Sequence, residues 1–593
     1  ITMMGVPAYG LFIVIVRPRI FRQWRTLLAL AGCALLGLTP LLYYPLRSPT
    51  VPFGPTDMNT WDGFIRHATA RGLRVNLFHF GLADQPDRLL VFWSLLRLQY
   101  ALPIVALIGA GLVWLGRRAP RPTVLLGLFL LGHLAFTLNT VQDVMAYLLL
   151  PFTALALLAG AGAWALVELA QRRTRMTGLV AATLVIATLP WPLLQAGLNL
   201  GRGISLRDFT AAEAWVDAVH HRFDGQGEGA VLLSDWEHLT PLWVHEYTRG
   251  IPVDPADLKL IYVSPANPWA ESIWANVEEG PLYLPDFRPA VRGTGFRLVP
   301  DGAFYRAVPP PVNGVEPAHP LDVWADGRVH ILGYDLPETA VRAGEPLVIN
   351  LYQTTPQPLD GIWMPYAELG PVEARWTTDS RLLTPQWLAN EVVIEAYQIP
   401  VPFNLPPGEY PLRLGYADLS GGRPELALST GGSTVELTTV TVLPNPDAPT
   451  EAALAQALAN LDNQTALMSA RARSGWRGRS APWEEPLPVE AGQPLHLTLT
   501  WRALAPPRES QTVFIHLLDG GGQLVFGHDY TPCGGACPSY LWFPKWLPGQ
   551  TLVDPYRLEL PADLPPGDYW LEVGMYGMTS LRRLPVVDLA GSL

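Results

Sequence analysis

Arg17-Pro18-Arg19-Ile20-Phe21-Arg22-Gln23-Trp24-Arg25 leads straight into the apolar run 26–44, and this pairing of a basic loop with an apolar run recurs. Arg117, Arg118 and Arg121 separate the runs 99–116 and 122–138. Arg172, Arg173 and Arg175 separate 144–170 and 177–198. Each run approaches the ~20 residues that an α-helix needs to cross the hydrocarbon core. The three arginine clusters fall in every second loop, as the positive-inside rule asks of cytoplasmic loops. With the shorter run 3–16, the pattern predicts an α-helical polytopic membrane domain over residues 1–200, of about six spans. The segments 45–98, 139–143 and everything after Asn199 are then expected outside. The expectation is a multi-pass protein of the plasma (inner) membrane with a C-terminal extracytoplasmic tail. Because the first run holds only about 14 residues and opens at Ile1, the chain is expected to be the C-terminal part of a longer one, its first span truncated.

Of the 593 residues, 49% are hydrophobic and 16% charged, an oily third averaged with an ordinary soluble remainder. Net charge is -11, with no basic tract outside the membrane loops, so nucleic acid is excluded as an expected partner and the lipid bilayer is the expected one. The long outer loop does hold Arg47, Arg66, Arg71, Arg74, Arg88 and Arg97. Long loops count less in the rule, and Asp57, Asp62, Asp84 and Asp87 accompany those arginines.

That loop carries the first candidate residues. Arg47 would emerge at the end of a membrane helix, where paired guanidinium donors suit a lipid phosphate. The alternative is a snorkelling arginine that anchors the helix. His67 and His79 are either acid/base groups or surface residues. Asp143, closing the outer turn 139–143 ahead of Tyr147, is either a functional carboxylate near the membrane or a helix N-cap. His133, inside an apolar run, reads as a hydrogen-bonded packing residue, and Cys33 as a small packing residue. Cys533 and Cys537 flank Gly534-Gly535-Ala536, and a disulfide is expected there if the tail is extracytoplasmic. A metal site is the weaker reading because no further ligand lies near in sequence. No cofactor is evident and no metal ligand set is assigned; no motif supports a divalent metal.

Tyr44-Pro45-Leu46-Arg47-Ser48-Pro49, Gly54-Pro55-Thr56, Trp61-Asp62-Gly63-Phe64-Ile65-Arg66-His67 and the later Asn139, Asp143, Tyr147 and Pro151 resemble a family of multi-spanning proteins. It is domain-of-unknown-function family 2723, a branch of the GT-C, or protein O-mannosyltransferase-like, superfamily. The resemblance covers about residues 1–308 and lacks the family's N-terminal half. It implies a glycosyltransferase that takes a sugar from a polyprenyl-phosphate donor at the outer membrane face and passes it to a protein, lipid or glycan acceptor. It also implies that Arg47 contacts the donor phosphate and that Asp143 and Tyr147 line the cavity; Asp57, Asp62 and His67 are further substrate-binding candidates from the outer loop itself. The catalytic carboxylate of the superfamily would precede Ile1, so the resemblance leaves it unassigned. Such a transfer needs a base on the acceptor hydroxyl and positive charge on the leaving phosphate. The alternative function is a non-catalytic, membrane-anchored glycan-binding or cell-surface assembly protein.

Beyond residue 200 the patterns change. Strand-like runs at 230–234, 258–264 and 281–284 alternate with helical stretches at 209–223, 236–247 and 269–279, which predicts a small extracytoplasmic α/β domain over 201–310 with a parallel sheet. An internal repeat follows. Trp387 leads, 23 residues on, to the last residue of Leu405-Pro406-Pro407-Gly408-Glu409-Tyr410; Trp546 leads over the same 23 residues to the last of Leu564-Pro565-Pro566-Gly567-Asp568-Tyr569. Tyr397 matches Tyr556, and Ala343-Gly344-Glu345-Pro346-Leu347 matches Ala491-Gly492-Gln493-Pro494-Leu495. Period-two runs broken by Pro-Gly turns predict two tandem antiparallel β-sandwiches, 323–443 and 461–589. Trp542 and Trp546 either stack on a sugar ring or pack at a core edge.

Overall fold

The computed structural model describes the whole chain except residues 1–4, 51–57, 70, 72–76, 142–143, 173–177, 180–181, 184–185, 187–189, 202–203, 208, 265–266, 377, 379–380, 476–477, 479, 484, 542 and 588–593. The candidates Asp57, Asp143 and Trp542 lie outside the described residues. An N-terminal helical region is followed by several β-sheets. The chain divides into two compact units.

The first unit comprises Ile1–Gly201 together with Thr531–Cys537 and Leu552–Arg557. Its helices are α1 (Val6–Val16), α2 (Trp24–Gly37), α3 (Tyr43–Arg47), α4 (Trp61–Ala68), α5 (Gln85–Gln99), α6 (Leu102–Arg118), α7 (Pro120–Leu138), α8 (Val144–Tyr147), α9 (Leu149–Gln171) and α10 (Pro190–Gly201). Among the described residues two helices, α7 and α9, are long and apolar enough to cross a membrane, or up to four if each of two bent pairs is one span. Residues 1–4 of the first run and much of 173–189 lie outside the described residues, so this count covers only part of the six expected runs. The run 26–44 is interrupted after Gly37, where Thr39-Pro40 starts a new turn and the pair bends by 40°. Proline at the first position of a turn has no N–H to give to the preceding helix. The last run, 177–198, is only partly described.

Helices α6 and α9 run side by side in the same direction. Tyr100, before α6, donates its hydroxyl to Phe152 O near the start of α9 at 2.7 Å; Trp114 Nε1 near the end of α6 donates to Glu168 near the end of α9 at 2.7 Å. Between these ends the backbones nearly touch. A Cβ on Gly111 would lie 1.8 Å from Leu158 O, and one on Gly162 would lie 2.0 Å from Leu107 O. Small residues at a crossing let two helices gain close packing where water offers no hydrophobic drive.

The second unit comprises Arg202–Tyr530, Pro538–Thr551 and Leu558–Leu593. It opens with helix α11 (Ala211–Phe223), strand β1 (Ala230–Ser234), α12 (Trp236–Val244), β2 (Leu258–Tyr262), α13 (Trp269–Asn276), β3 (Leu282–Leu284), β4 (Arg297–Asp301) and β5 (Phe304–Val308). The sheet order is β2-β1-β3-β5-β4. The first three strands are parallel, as the strand–helix alternation predicts. The sheet as a whole is mixed, because β4 and β5 form an antiparallel hairpin turned at Asp301-Gly302, where Gly302 has φ +61°. Helices cover both faces: Val216, Val219 and Phe223 pack on Leu232, whereas Ile273 packs on Val231 and Leu233.

The first repeat holds β6 (His319–Ala325), β7 (Val329–Asp335), β8 (Ala340–Arg342), β9 (Pro346–Thr354), β10 (Trp363–Leu369), β11 (Val372–Arg375), β12 (Val393–Pro400), β13 (Gly408–Asp418) and β14 (Thr434–Leu443). Two sheets, β12-β9-β7-β6 and β11-β10-β13-β14-β8, share one core, with Ile331, Leu351 and Tyr397 from one and Leu369, Leu414 and Val440 from the other. The second repeat holds β15 (Ala459–Leu461), β16 (Thr465–Ser474), β17 (Ser480–Pro482), β18 (Pro494–Ala503), β19 (Gln511–Leu518), β20 (Leu524–Tyr530), the ribbon β21 (Tyr540–Leu541) and β22 (Phe543–Pro544), β23 (Thr551–Glu559) and β24 (Trp570–Gly577). Strand β16 pairs with β15, β17 and β18, and β19 pairs with β20 and β24, all antiparallel. Within β23, Leu552–Arg557 belongs to the first unit.

Candidate functional site

In the first unit the polar residues collect at the two ends of the helices. At one end Glu168 takes Trp114, Arg118 and Arg172 together, the last at 2.8 Å. Two of the three sequence clusters of arginine therefore end on one carboxylate. At the other end lies Arg88, on α5 and 3% exposed. Its Nε donates to Leu138 O at 2.7 Å, its Nη1 donates to Cys533 O, and its guanidinium sits 4.1 Å over the Phe80 ring. A guanidinium so buried stays only where carbonyls and a ring face replace its water.

Asn139 joins this end. Gln85 Nε2 donates to Asn139 Oδ1 at 2.7 Å, Asn139 Nδ2 to Ala135 O at 2.7 Å, and His79 N to Asn139 O at 2.9 Å. Cys533 and Cys537 form a disulfide, with Cα atoms 5.4 Å apart. The loop that they close is seated here: a Cβ on Gly535 would lie 2.3 Å from Val141 O. Val553 N donates to Ser94 Oγ at 3.1 Å, and Asp554, fully buried, accepts from Cys533 N at 2.7 Å.

The residues proposed from sequence are only partly brought together. Tyr44 of α3 and His67 of α4 stack edge-on at 4.7 Å, so those two runs meet. Arg47, the last residue of α3, is exposed. Asp62 pairs with Arg66 at 2.6 Å and with Arg71 at 3.7 Å, both on the surface. Tyr147 packs on Phe136 at 6.1 Å. Among the described residues no hydrogen bond or ion pair links Arg47, Asp62 or His67 to the Arg88 group. His133 is fully buried, its Nδ1 3.0 Å from Phe129 O, in keeping with a packing residue. Trp546 is 2% exposed, which leaves no ring face for a sugar and corrects the stacking reading for that residue.

The second unit holds a polar group that the sequence reading passed over. Asp235 follows β1 and caps α12, its Oδ1 accepting from His238 N at 3.2 Å. His238 Nδ1 lies 2.5 Å from the same oxygen, and His238 Nε2 lies 3.7 Å from Asp286 Oδ2. Asp286 follows β3, so both carboxylates sit past the carboxyl ends of parallel strands, where α/β sheets commonly bind ligands. Asp235, His238 and Asp286 offer atoms within 4.8 Å of one another, a spacing that a metal ion would accept. Arg288 argues against one: its Nη2 donates to Asp235 Oδ2 at 2.6 Å and to Asp286 Oδ2 at 3.0 Å, and so already supplies the cation. Burial pushes the Asp235 carboxyl up, but the His238 hydrogen bond and charge and the Arg288 charge outweigh it and hold it below the ordinary value. The group is a compensated ion-pair network. The signal for it was an aspartate directly after a buried strand and three residues before a histidine on the following helix.

Neither a protein-family model nor a curated protein matches this chain.

Proposed function

We propose that the protein is a multi-pass membrane glycosyltransferase of GT-C type, which moves a sugar from a polyprenyl-phosphate donor to an extracytoplasmic protein or glycan acceptor. The observation that carries the reading is the polarity of the helical unit. Arg118 and Arg172 meet at one end through Glu168, and Gln85, Arg88 and Asn139 meet at the other. Under the positive-inside rule the arginine end faces the cytoplasm of the inner (plasma) membrane. The Arg88 end and the tail are then extracytoplasmic, a setting in which a Cys533–Cys537 disulfide persists. Apolar helices hold the lipid tail, and the outer end meets the sugar phosphate.

In this reading Arg47 is the phosphate ligand. It is exposed and forms no side-chain ion pair among the described residues, so its fork is free to take two phosphate oxygens. Arg88 is a positioning residue, because its Nε and Nη1 are committed to Leu138 and Cys533. Charge from Arg47 would stabilise the phosphate as the glycosidic bond breaks, a kind of contribution worth a few kcal/mol, or roughly 10²–10³ in rate.

The test uses the full chain in native membranes with radiolabelled polyprenyl-phosphate hexoses. Transfer to endogenous acceptor that drops at least tenfold in Arg47→Ala, with Arg413→Ala unchanged, supports the reading. No transfer by the wild-type chain from any polyprenyl-phosphate sugar sinks it. Asp62 favours the second reading, a non-catalytic membrane-anchored glycan-binding or assembly protein. Two arginines already hold its carboxylate, which leaves it engaged on the surface rather than free for an acceptor hydroxyl.

A further inference from the structure

A cavity of about 150 Å³ lies in the second unit, lined by residues from 287–312, 381–398 and 580–582. Five arginines and two glutamates line it. Most of that charge is matched. Arg297 pairs with the buried Glu391 through two hydrogen bonds, 2.7 and 3.0 Å. Arg381 lies 3.4 Å from Glu395 and 3.9 Å over the Tyr397 ring. Arg288 is matched by Asp235 and Asp286.

Arg582 is different. Among the described residues its guanidinium makes no hydrogen bond or ion pair. The two carboxylates whose charges act on it are engaged by other groups, Asp462 through Oδ2. Asp462 is held by Arg508 at 2.8 Å, and Glu509 accepts from Thr579 N, Ser580 N and Ser580 Oγ at 2.9, 3.0 and 2.6 Å. Burial lowers the Arg582 pKa; Asp462 and Glu509 oppose that shift, and the charges of Arg381 and Arg508 add to it. A half-buried cation whose neighbouring carboxylates are engaged by other groups is stabilised by an incoming anion.

We propose that this cavity binds a compact oxyanion, a carboxylate or phosphate on a body of about one ring, with Arg582 as its principal ligand. The guanidinium fork matches either group through two parallel hydrogen bonds. The size fits, since an apolar cavity of ~150 Å³ holds a six-membered ring. Phe287 and Phe296 line the same space and would face the apolar side of that ring. The proposal stands apart from the transfer reaction, whose site lies in the other unit, so either can fail alone.

The experiment is isothermal titration of the full chain in lipid nanodiscs, against empty nanodiscs, with sodium glucuronate, inorganic phosphate and glucose. Glucuronate or phosphate should bind saturably and at least tenfold more tightly than uncharged glucose, which tests the wild-type chain with no substitution. Tighter glucuronate names a sugar acid as the source of the oxyanion; tighter phosphate names a phosphate ester. Arg582→Gln should weaken the anion at least tenfold, Arg582→Lys less, and the exposed Arg413→Gln not at all. Glucose binding as well as glucuronate, no saturable anion binding, or an Arg582→Gln titration equal to wild type would each overturn the assignment.

Discussion

In the first repeat Tyr397 donates to Glu395, two residues before it, at 2.9 Å; in the second Tyr556 donates to Asp554, again two residues before, at 2.7 Å. The likeness extends further. Trp387 is 3% exposed and Trp546 2%. Tyr410 donates to Pro406 O at 2.8 Å and Tyr569 to Pro565 O at 2.7 Å. Gly344 and Gly492 both take positive φ, +91° and +76°, which a side chain would strain. What differs is the second bond of each carboxylate. Glu395 accepts from Leu382 N at 2.9 Å and faces Arg381 on the cavity wall. Asp554 accepts from Cys533 N, and its segment belongs to the helical unit. One core device has thus been given two outward tasks, and the repeat signature reports the core rather than the task.

The largest effect should come from removing that shared core. Trp387→Ala and Trp546→Ala should each cost about 3–5 kcal/mol, as large buried aromatics do. Thermal unfolding of the full chain, followed by tryptic mapping of each repeat, reads this out. A Trp546→Ala cost below about 1 kcal/mol would break the equivalence and return Trp546 to the surface.

Alkali should separate the repeats next. Burial, then the neighbouring carboxylate, pushes the Tyr397 phenol above its ordinary value of 10.0; burial, then Tyr397 and Glu395, does the same for Tyr416. Tyr556 is raised by burial and Asp554. A raised folded-state pKa gives stability that is complete below 10 and is lost as pH climbs from there towards the folded value. With Tyr334, Tyr352 and Tyr366 also raised in the first repeat, and Tyr540 and Tyr576 in the second, five such phenols stand against three, so the first repeat should lose tryptic protection at the lower pH, alongside the rise of tyrosinate absorbance. Equal thresholds would show that the additional raised phenols of the first repeat add nothing.

Smaller losses are expected from the carboxylates themselves. Asp554→Ala leaves Cys533 N–H and Tyr556 O–H without their acceptor and should cost about 1–3 kcal/mol. Glu395→Ala should cost a similar amount by freeing Leu382 N–H and the Tyr397 hydroxyl. The two should differ in address, protease cuts appearing near 531–537 in one variant and near 381–383 in the other. Cuts at the same place in both would contradict the split of roles.

Much of this architecture could be read along the chain. The α/β elements follow the alternation of runs to within a few residues, because β1 is buried on both faces and reads as a continuous apolar stretch. The repeat was legible because its turns demand Pro and Gly. The hairpin β4–β5 was missed although Asp301-Gly302 is a turn signal, since the strand pattern there, Arg297–Asp301, is polar at both ends. The break at Thr39-Pro40 was not legible, because it cuts a run whose hydropathy is continuous across it. The sites were hardest. Arg88 looked like any loop arginine, and only folding brings it to Leu138, fifty residues away. Arg582 matters because Asp462 and Glu509 are engaged by others, a fact of pairing that no local pattern records.

The finest test concerns the tyrosine that closes each Pro-Pro-Gly turn. Tyr410→Phe and Tyr569→Phe each remove one hydroxyl bond to a proline carbonyl four residues back. These bonds are open to water, so each loss should fall at the low end of the about 0.5–1.5 kcal/mol typical of a hydrogen bond. If the repeats share their turn physics, the two costs should be alike and, at independent sites, additive to within about 0.5 kcal/mol. The double variant should then equal their sum, measured as a shift in thermal midpoint. A Tyr569→Phe cost well above that of Tyr410→Phe would mean that the second turn does something the first does not, and the likeness of the repeats would end at the core.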